Sequence, residues 1–303
     1  MKRVIVFGAS GVQGSAQVKA LVHAGHAPIA VSRSPKSLVE GQQIETIALD
    51  FNDNDGLVRA LEGPEVIFLN LPSTSFQPGP PIIAAAEAIG RAAANSASVK
   101  LIVFNTSMPV PEECQNIQAQ DDRRKMRTLL RATGVPVISI QPVAYLDNLL
   151  EGWALPPIRD RHTVVYCHKP DLLVSWICHD DLANLMIAAM DKPSLAGRNI
   201  PVGGPETVVL EELAAKLSKG WGTKMKHENQ TVADFCDKIS KTMQGRGLET
   251  ERIVNQMYRA YTYYNEVPEF KIDMDPVLKE LPVKLTLIED WAKTHPVPGM
   301  KIE

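Results

Sequence analysis

The segment Val4-Ile5-Val6-Phe7-Gly8-Ala9-Ser10-Gly11-Val12-Gln13-Gly14 sets three glycines between an apolar run and a stretch with helical periodicity. Val4 to Phe7 suits a buried parallel strand, and Ala16, Ala20, Leu21 and Ala24 form one apolar helical face beyond the turn. A glycine at Gly8 allows a tight exit from the strand. One at Gly11 lets backbone N–H groups approach an anion, and one at Gly14 lets helix and strand pack closely. The positive end of the helix dipole then faces the anion. The chemistry this spacing predicts is the cradling of a dinucleotide pyrophosphate by Gly8, Ser10, Gly11, Val12, Gln13 and Gly14. The alternative is a glycine-rich structural turn that binds nothing.

The elements that must position this cradle follow from apolar runs of strand length. They recur at Val4–Phe7, Ile29–Val31, Ile44–Leu49, Val66–Leu71, Leu101–Phe104 and Val137–Ile140, with helical stretches between. That rhythm predicts an α/β fold with a doubly wound parallel sheet of Rossmann type, whose ligands sit at the carboxyl ends of the strands. The positions after each strand are therefore the candidate binding residues: Gly8, Ser32-Arg33, Asp50-Phe51, Asn70-Leu71-Pro72, Asn105-Thr106-Ser107 and Pro142-Val143. After about residue 150 the alternation gives way to short apolar runs and proline pairs such as Pro156-Pro157. We expect a dinucleotide-binding domain over 1–150 and a smaller α+β substrate or partner region over 151–303. The part from about 172 to 206 returns to the sheet through Asn199–Val202. Asp180 or Asp181 is read as a cap for Leu182–Met190, and Thr231-x-x-Asp234 and Thr286-x-x-Glu289 as capping boxes.

The residues after the second strand select the coenzyme. An NAD site usually carries a carboxylate there, accepting hydrogen bonds from the ribose hydroxyls. Here the chain reads Ser32-Arg33-Ser34-Pro35-Lys36, two hydroxyls and two cations suited to a 2′-phosphate. NADP(H) is expected over NAD, unless Arg33 and Lys36 are merely solvated. Asp50 and Phe51 would border the adenine, or Asp50 would close a turn.

Bulk properties bound the partners. A net charge of -3 over 303 residues gives no electrostatic reason to expect nucleic acid. No apolar stretch approaches the roughly 18 residues of a spanning helix, and no secretory leader opens the chain; no membrane partner is expected, and the cytoplasm is the expected location. Cys114, Cys167, Cys178 and Cys236 form no Cys-x-x-Cys pair, which predicts buried or idle thiols. His162, His168 and His179 show no ligand spacing, so no metal is expected. Tyr258, Tyr261, Tyr263 and Tyr264 with Met257 could line an aromatic cleft, though their spacing also suits core packing. Phe76, in the proline-rich segment Ser73 to Pro81, could wall a pocket or sit in a connector ahead of a helix over Ile82–Ala94.

Taken together, several segments resemble the NmrA-like branch of the atypical short-chain dehydrogenases. They are Gly8 to Gly14, Arg33, Leu129 to Pro136, Gln141 to Leu149, His179 to Ala183, Pro201 to Thr207 and Glu211 to Ala214. The resemblance covers nearly the whole chain. It implies NADP(H) binding and either a reductase or a redox sensor. Asn70, Leu71 and Pro72 would then border the nicotinamide, and Asn105, Thr106 and Pro142 are candidate cofactor-binding residues by their place after strands. The Tyr-x-x-x-Lys pair of the wider superfamily is absent. The lysine that reductases of this branch often carry eleven residues before the glycine matching Gly134 falls on Arg123, and a register slip brings Lys125 instead. Arginine, whose guanidinium stays protonated at ordinary pH, is a poor proton donor. A solvated basic patch is the alternative for both. Ser107 sits where relatives place a hydroxyl that touches substrate or ribose, and Thr106 competes for that role. Water or a hydroxyl such as Ser107 or Tyr145 is the expected proton source. The expectation is hydride transfer from NADPH to a small apolar carbonyl or quinone; the rival is a sensor that binds NADP(H) and signals to a regulatory protein partner. Oligomeric state is not legible.

Overall fold

The computed structural model describes residues 1–32, 43–243 and 250–300. The elements run β1 (Arg3–Phe7), α1 (Val12–His23), β2 (Ala27–Ser32), β3 (Glu45–Ala48), α2 (Asn54–Ala60), β4 (Val66–Leu69), α3 (Gly79–Asn95), β5 (Leu101–Asn105), α4 (Gln118–Ala132) and β6 (Val137–Pro142). There follow β7 (Ala144–Tyr145), α5 (Leu155–Arg161), β8 (Thr163–Tyr166), β9 (Val174–Ile177), α6 (His179–Met190) and β10 (Asn199–Val202). The chain continues with β11 (Thr207–Val208), α7 (Leu210–Trp221), β12 (Lys226–Asn229), α8 (Val232–Met243), α9 (Thr250–Tyr264), α10 (Asp275–Glu280) and α11 (Ile288–Thr294).

Two compact units result. The first comprises Met1–Pro142, His179–Pro201 and Val277–Val283. Its sheet has the order β10-β6-β5-β4-β1-β2-β3, in which the first six strands take the doubly wound arrangement 3-2-1-4-5-6. The pairings among β1 to β6 are parallel, with Val4 opposite Pro28 on one side and Val66 on the other. The central strands read as unbroken apolar runs because both faces are covered. Ile5, Phe7, Ile67, Leu69, Ile102 and Phe104 pack with Leu57, Ile82, Ile89, Met126 and Leu130 of α2, α3 and α4. Helices α1 and α6 pack together, α1 against β1 and α6 against β5. β3 is an edge strand and largely exposed, as its sequence Glu45-Thr46-Ile47-Ala48 allows. Helix α3 starts at Gly79 rather than Ile82, with prolines in its first positions where a missing N–H costs nothing.

The second unit comprises Val143–Cys178, Val202–Pro276 and Lys284–Glu303. It holds a three-stranded sheet, β11-β9-β7, and a β12-β8 pair. Its core joins Leu146, Val164, Trp176, Leu213, Leu217, Ile288 and Trp291. Tyr261 and Tyr264 pack edge-on against Phe235 and Phe270, so these tyrosines serve the core, while Tyr258 is exposed. Thr231 caps α8 by accepting from the Asp234 N–H at 3.0 Å. Two other helix starts differ from the expectation. Helix α11 begins with Leu287 as its cap and takes the Glu206 carboxylate on the Ile288 N–H, so Thr286 is not the cap. Helix α6 already begins at His179, which places Asp180 and Asp181 inside its first turn.

Cys167, Cys178 and Cys236 are buried, whereas Cys114 is exposed, its Sγ 3.2 Å from Asp121 Oδ2. Among the described residues no helix is long and apolar enough to cross a membrane, and no three His, Cys, Asp or Glu side chains converge to hold a metal ion.

Candidate functional site

The cradle is built from backbone contacts that leave no room for side chains. Gly8, at the end of β1, has φ +73°, and a Cβ there would lie 2.8 Å from the Asn70 carbonyl oxygen. The Gly11 N–H donates to Gly8 O at 3.0 Å, and the Ala9 N–H donates across to Val31 O at 3.1 Å, which tightens the turn. A Cβ on Gly14 would come within 2.3 Å of Gly8 O and 2.8 Å of Ala9 Cα, both backbone atoms that cannot swing aside. Gly11 caps α1 in extended conformation and makes no side-chain cap. The first-turn N–H groups of α1, which have no acceptor within the helix, therefore open outward at its positive end.

They open into a cleft of about 350 Å³. Gly8, Ser10, Gly11, Val12, Gln13, Gly14, Ser32, Phe51, Asn70, Leu71, Pro72, Ser107 and Arg123 line it, together with Ser73, from the start of the proline-rich segment, and Leu49, which the sequence did not single out. The Phe51 ring lies 6.0 Å from that of Phe7. Among the described residues, the lining holds no carboxylate, histidine, lysine, cysteine or tyrosine.

Beneath the cleft runs a network of carboxamides. Asn70 Nδ2 donates to Phe7 O at 3.0 Å and to Gln17 Oε1 at 2.7 Å. Asn70 Oδ1 accepts from Gln17 Nε2 at 2.9 Å and from Asn105 Nδ2 at 3.0 Å. Asn105 Nδ2 also donates to Gln13 Oε1, which in turn accepts from the Ser107 hydroxyl at 3.0 Å. Asn105 Oδ1 accepts the Ser107 N–H at 2.8 Å and so holds Ser107 at φ +61°. Gln17, buried on α1 one turn after Gln13, went unread; the available signal was a carboxamide next to Ala16 on an otherwise apolar face.

Several expected side chains do other work. Arg123 is 1 % exposed rather than solvated, and its Nη2 donates to Leu71 O at 2.7 Å and Pro72 O at 3.1 Å, fixing the segment after β4. Lys125, two residues on and about 200° around the helix, is exposed and does not line the cleft. Asp50 is exposed and closes a turn by accepting from the Asn52 N–H at 2.9 Å. Asn105 is fully buried under the cleft. Thr106 points the other way, its hydroxyl donating to Met108 O at 2.7 Å. Pro142 is buried at the end of β6, outside the lining. Tyr145 belongs to the second unit, where it is 5 % exposed on β7. Arg33, Ser34 and Lys36 lie outside the described residues.

A model of the NmrA-like family matches residues 1–292. The chain belongs to the NmrA-like family. Among curated relatives of this NmrA-like chain is the (4-alkanoyl-5-oxo-2,5-dihydrofuran-3-yl)methyl phosphate reductase of Streptomyces griseus. It is 29% identical over 229 residues, which span 76% of this chain and 77% of that one. Among solved structures, the Citrobacter sp. triphenylmethane reductase complexed with NADP(H) matches with TM-score 0.75 and 18% identity, covering 96% of this chain and 99% of that one. NmrA, a negative transcriptional regulator, in complex with NAD, matches with TM-score 0.74 and 16% identity over 96% of this chain and 94% of that one. At such identities the two structures share a fold with this NmrA-like protein. Enzymes and a regulator thus carry the same scaffold.

Proposed function

We propose that this NmrA-like protein is a reductase that holds NADP(H) in the glycine cleft and delivers hydride to a small apolar carbonyl or quinone. The observation that carries the reading is the approach of Gly14 to the Gly8 carbonyl, a packing that a Cβ would fill and that aims the first amides of α1 into the cleft. Val12, Gln13 and Gly14 amides would hold the pyrophosphate. Ser32, with Arg33, Ser34 and Lys36 after it and no carboxylate among them, favours the phosphorylated ribose. The Phe51 ring offers an apolar face to the base, and Asn70, Leu71, Pro72 and Ser107 shape the far end. When bound, the coenzyme supplies the hydride.

The chain's own part is to bind, orient and exclude water. Arg123 keeps Leu71 and Pro72 in place and has no proton to give near neutral pH. With no ionisable acid among the described residues of the lining, the site suits an acceptor such as a quinone, whose reduced form delocalises its charge and can take its proton from water. The family's regulator supports a second reading, a sensor that binds NADP(H) and acts through a protein partner; the same lack of an acid group suits it.

Mixing the purified protein with NADPH and a panel of quinones, aldehydes and imines, while following nicotinamide absorbance, separates the readings. Saturable NADPH oxidation that Gly11→Asp abolishes is the expected result. Tight NADPH binding without turnover of any acceptor would replace the reductase with the sensor, and no NADPH binding at all would remove both.

A further inference from the structure

We infer that Ser107 faces the cleft as a hydrogen-bond acceptor only, its hydroxyl proton locked onto Gln13, so that the ligand group it recognises must carry an N–H or O–H. The placing of that group in a bound ligand rests on the coenzyme-cleft reading above; the direction of the hydroxyl does not.

The argument is a count of donors and acceptors. A carboxamide can be turned end for end without changing its shape, so its orientation must come from what it meets. Here backbone groups decide. The Phe7 carbonyl can only accept, which makes the Asn70 atom 3.0 Å from it the nitrogen. Asn70 Oδ1 then faces Asn105 and Gln17, and both must present nitrogen to it. At the other end the Ser107 N–H can only donate, which independently makes its partner on Asn105 the oxygen. The two determinations of Asn105 agree. Its nitrogen therefore points at Gln13, whose facing atom must be oxygen. That same oxygen is the partner of the Ser107 hydroxyl, which is left no role except donor.

Asn70 and the Asn105 amide nitrogen are also saturated. Asn70 makes four hydrogen bonds, both hydrogens of Asn105 Nδ2 are used, and Gln13 Oε1 accepts twice. Gln13, Gln17, Asn70 and Asn105 are carboxamides that do not titrate, so none of them can hand Ser107 a proton to replace one it gave up. Ser107 lines the cleft, and among the described residues its oxygen has no partner other than Gln13. Two acceptor lone pairs remain for a ligand. Ser107 is thereby a specificity residue rather than the proton source, and a site built to accept a hydrogen bond discriminates against a ligand that lacks the donor.

Two donors could meet it, the carboxamide N–H of a nicotinamide coenzyme or a hydroxyl of the reduced substrate. Calorimetry distinguishes them with two matched pairs: NADP+ against its analogue bearing acetyl in place of the carboxamide, and a hydroquinone against its dimethyl ether, the second pair measured with NADP+ present. We expect the wild type to favour the donor-bearing member of one pair by roughly five- to tenfold, and Ser107→Ala to erase that preference while leaving the other pair unchanged. The pair affected identifies the source. A preference in either pair that survives Ser107→Ala in full, or a wild type with no preference in either, overturns the assignment of a ligand donor. Neutron diffraction from perdeuterated, ligand-free crystals tests the hydroxyl itself. A deuteron on Ser107 Oγ directed at Gln13 upholds the inference, and one directed into the cleft overturns it. Should the wild type bind no coenzyme, the functional reading falls while the neutron result still decides the direction of the hydroxyl.

Discussion

The carboxamides of Gln17 and Asn70 face each other and exchange two hydrogen bonds, Gln17 Nε2 to Asn70 Oδ1 at 2.9 Å and Asn70 Nδ2 to Gln17 Oε1 at 2.7 Å. Gln17 is 1 % exposed and Asn70 8 %, so neither finds water as a substitute partner. The pair joins α1 to the end of β4 directly under the cradle. Replacing one partner leaves the other buried and under-satisfied, which costs about 1–3 kcal/mol. Gln17→Leu is therefore expected to lower unfolding stability by that amount in chemical denaturation, although leucine suits its apolar surroundings. A variant as stable as wild type would mean that the pair contributes nothing.

The three glycines make unequal demands. A methyl on Gly14 meets backbone at 2.3 Å, whereas one on Gly11 meets Gly8 O at 3.3 Å. Gly14→Ala must push α1 away from β1, a strain of about 1–3 kcal/mol, and it should raise the dissociation constant for NADPH at least tenfold. Gly11→Ala should cost far less of both. Equal losses in the two variants, measured by thermal unfolding and NADPH titration, would count against packing as the role of Gly14.

Arg123 is a positioning residue for the segment after β4. One guanidinium nitrogen spans Leu71 O and Pro72 O, a reach that a lysine ammonium cannot reproduce with the same geometry. Arg123→Lys is expected to raise the KM for NADPH several-fold with kcat little changed, and to leave the pH profile of turnover flat where arginine does not titrate. A large gain in kcat with a new ionisation would instead make this position a proton-delivery site that arginine had silenced.

These residues mark where sequence reading succeeds and where it stops. β1, the glycine turn and α1 were legible because each is specified locally, by an apolar run, by conformational demands on glycine and by helical period. Strand ends directed attention to Asn70, Asn105 and Ser107 for the same reason. Their roles were not legible, because the partners of Asn70 lie 53 and 35 residues away and only the sheet brings them together. A one-residue step also reverses a side chain at a strand end, which separates buried Thr106 from cleft-lining Ser107. The burial of Arg123 did leave a trace. Arg123, Met126, Arg127 and Leu130 recur at helical spacing and are all buried on α4, so the arginines share the apolar face.

The second unit carries a titratable group that makes its stability depend on acid. His168 is 4 % exposed, with ring centroids of Tyr166, Trp176 and Phe270 at 4.5, 5.9 and 6.2 Å. Burial among these rings disfavours the imidazolium and lowers the His168 pKa from 6.5 to about 3. The unfolded chain therefore binds a proton that the folded chain refuses at every pH between those values. Stability is lost as pH falls below 6.5 and stops falling from this cause below about 3, where both states are protonated. The slope is about 1.4 kcal/mol per pH unit for a single group, so the total is on the order of a few kcal/mol. His168→Phe keeps an aromatic ring against Tyr166 and Trp176 and removes the titration. Its stability, measured by denaturant unfolding at a series of pH values, should decline less than that of wild type between pH 6.5 and 3, with the two curves running parallel above pH 7. Curves parallel throughout would mean that His168 ionises alike in the folded and unfolded chain.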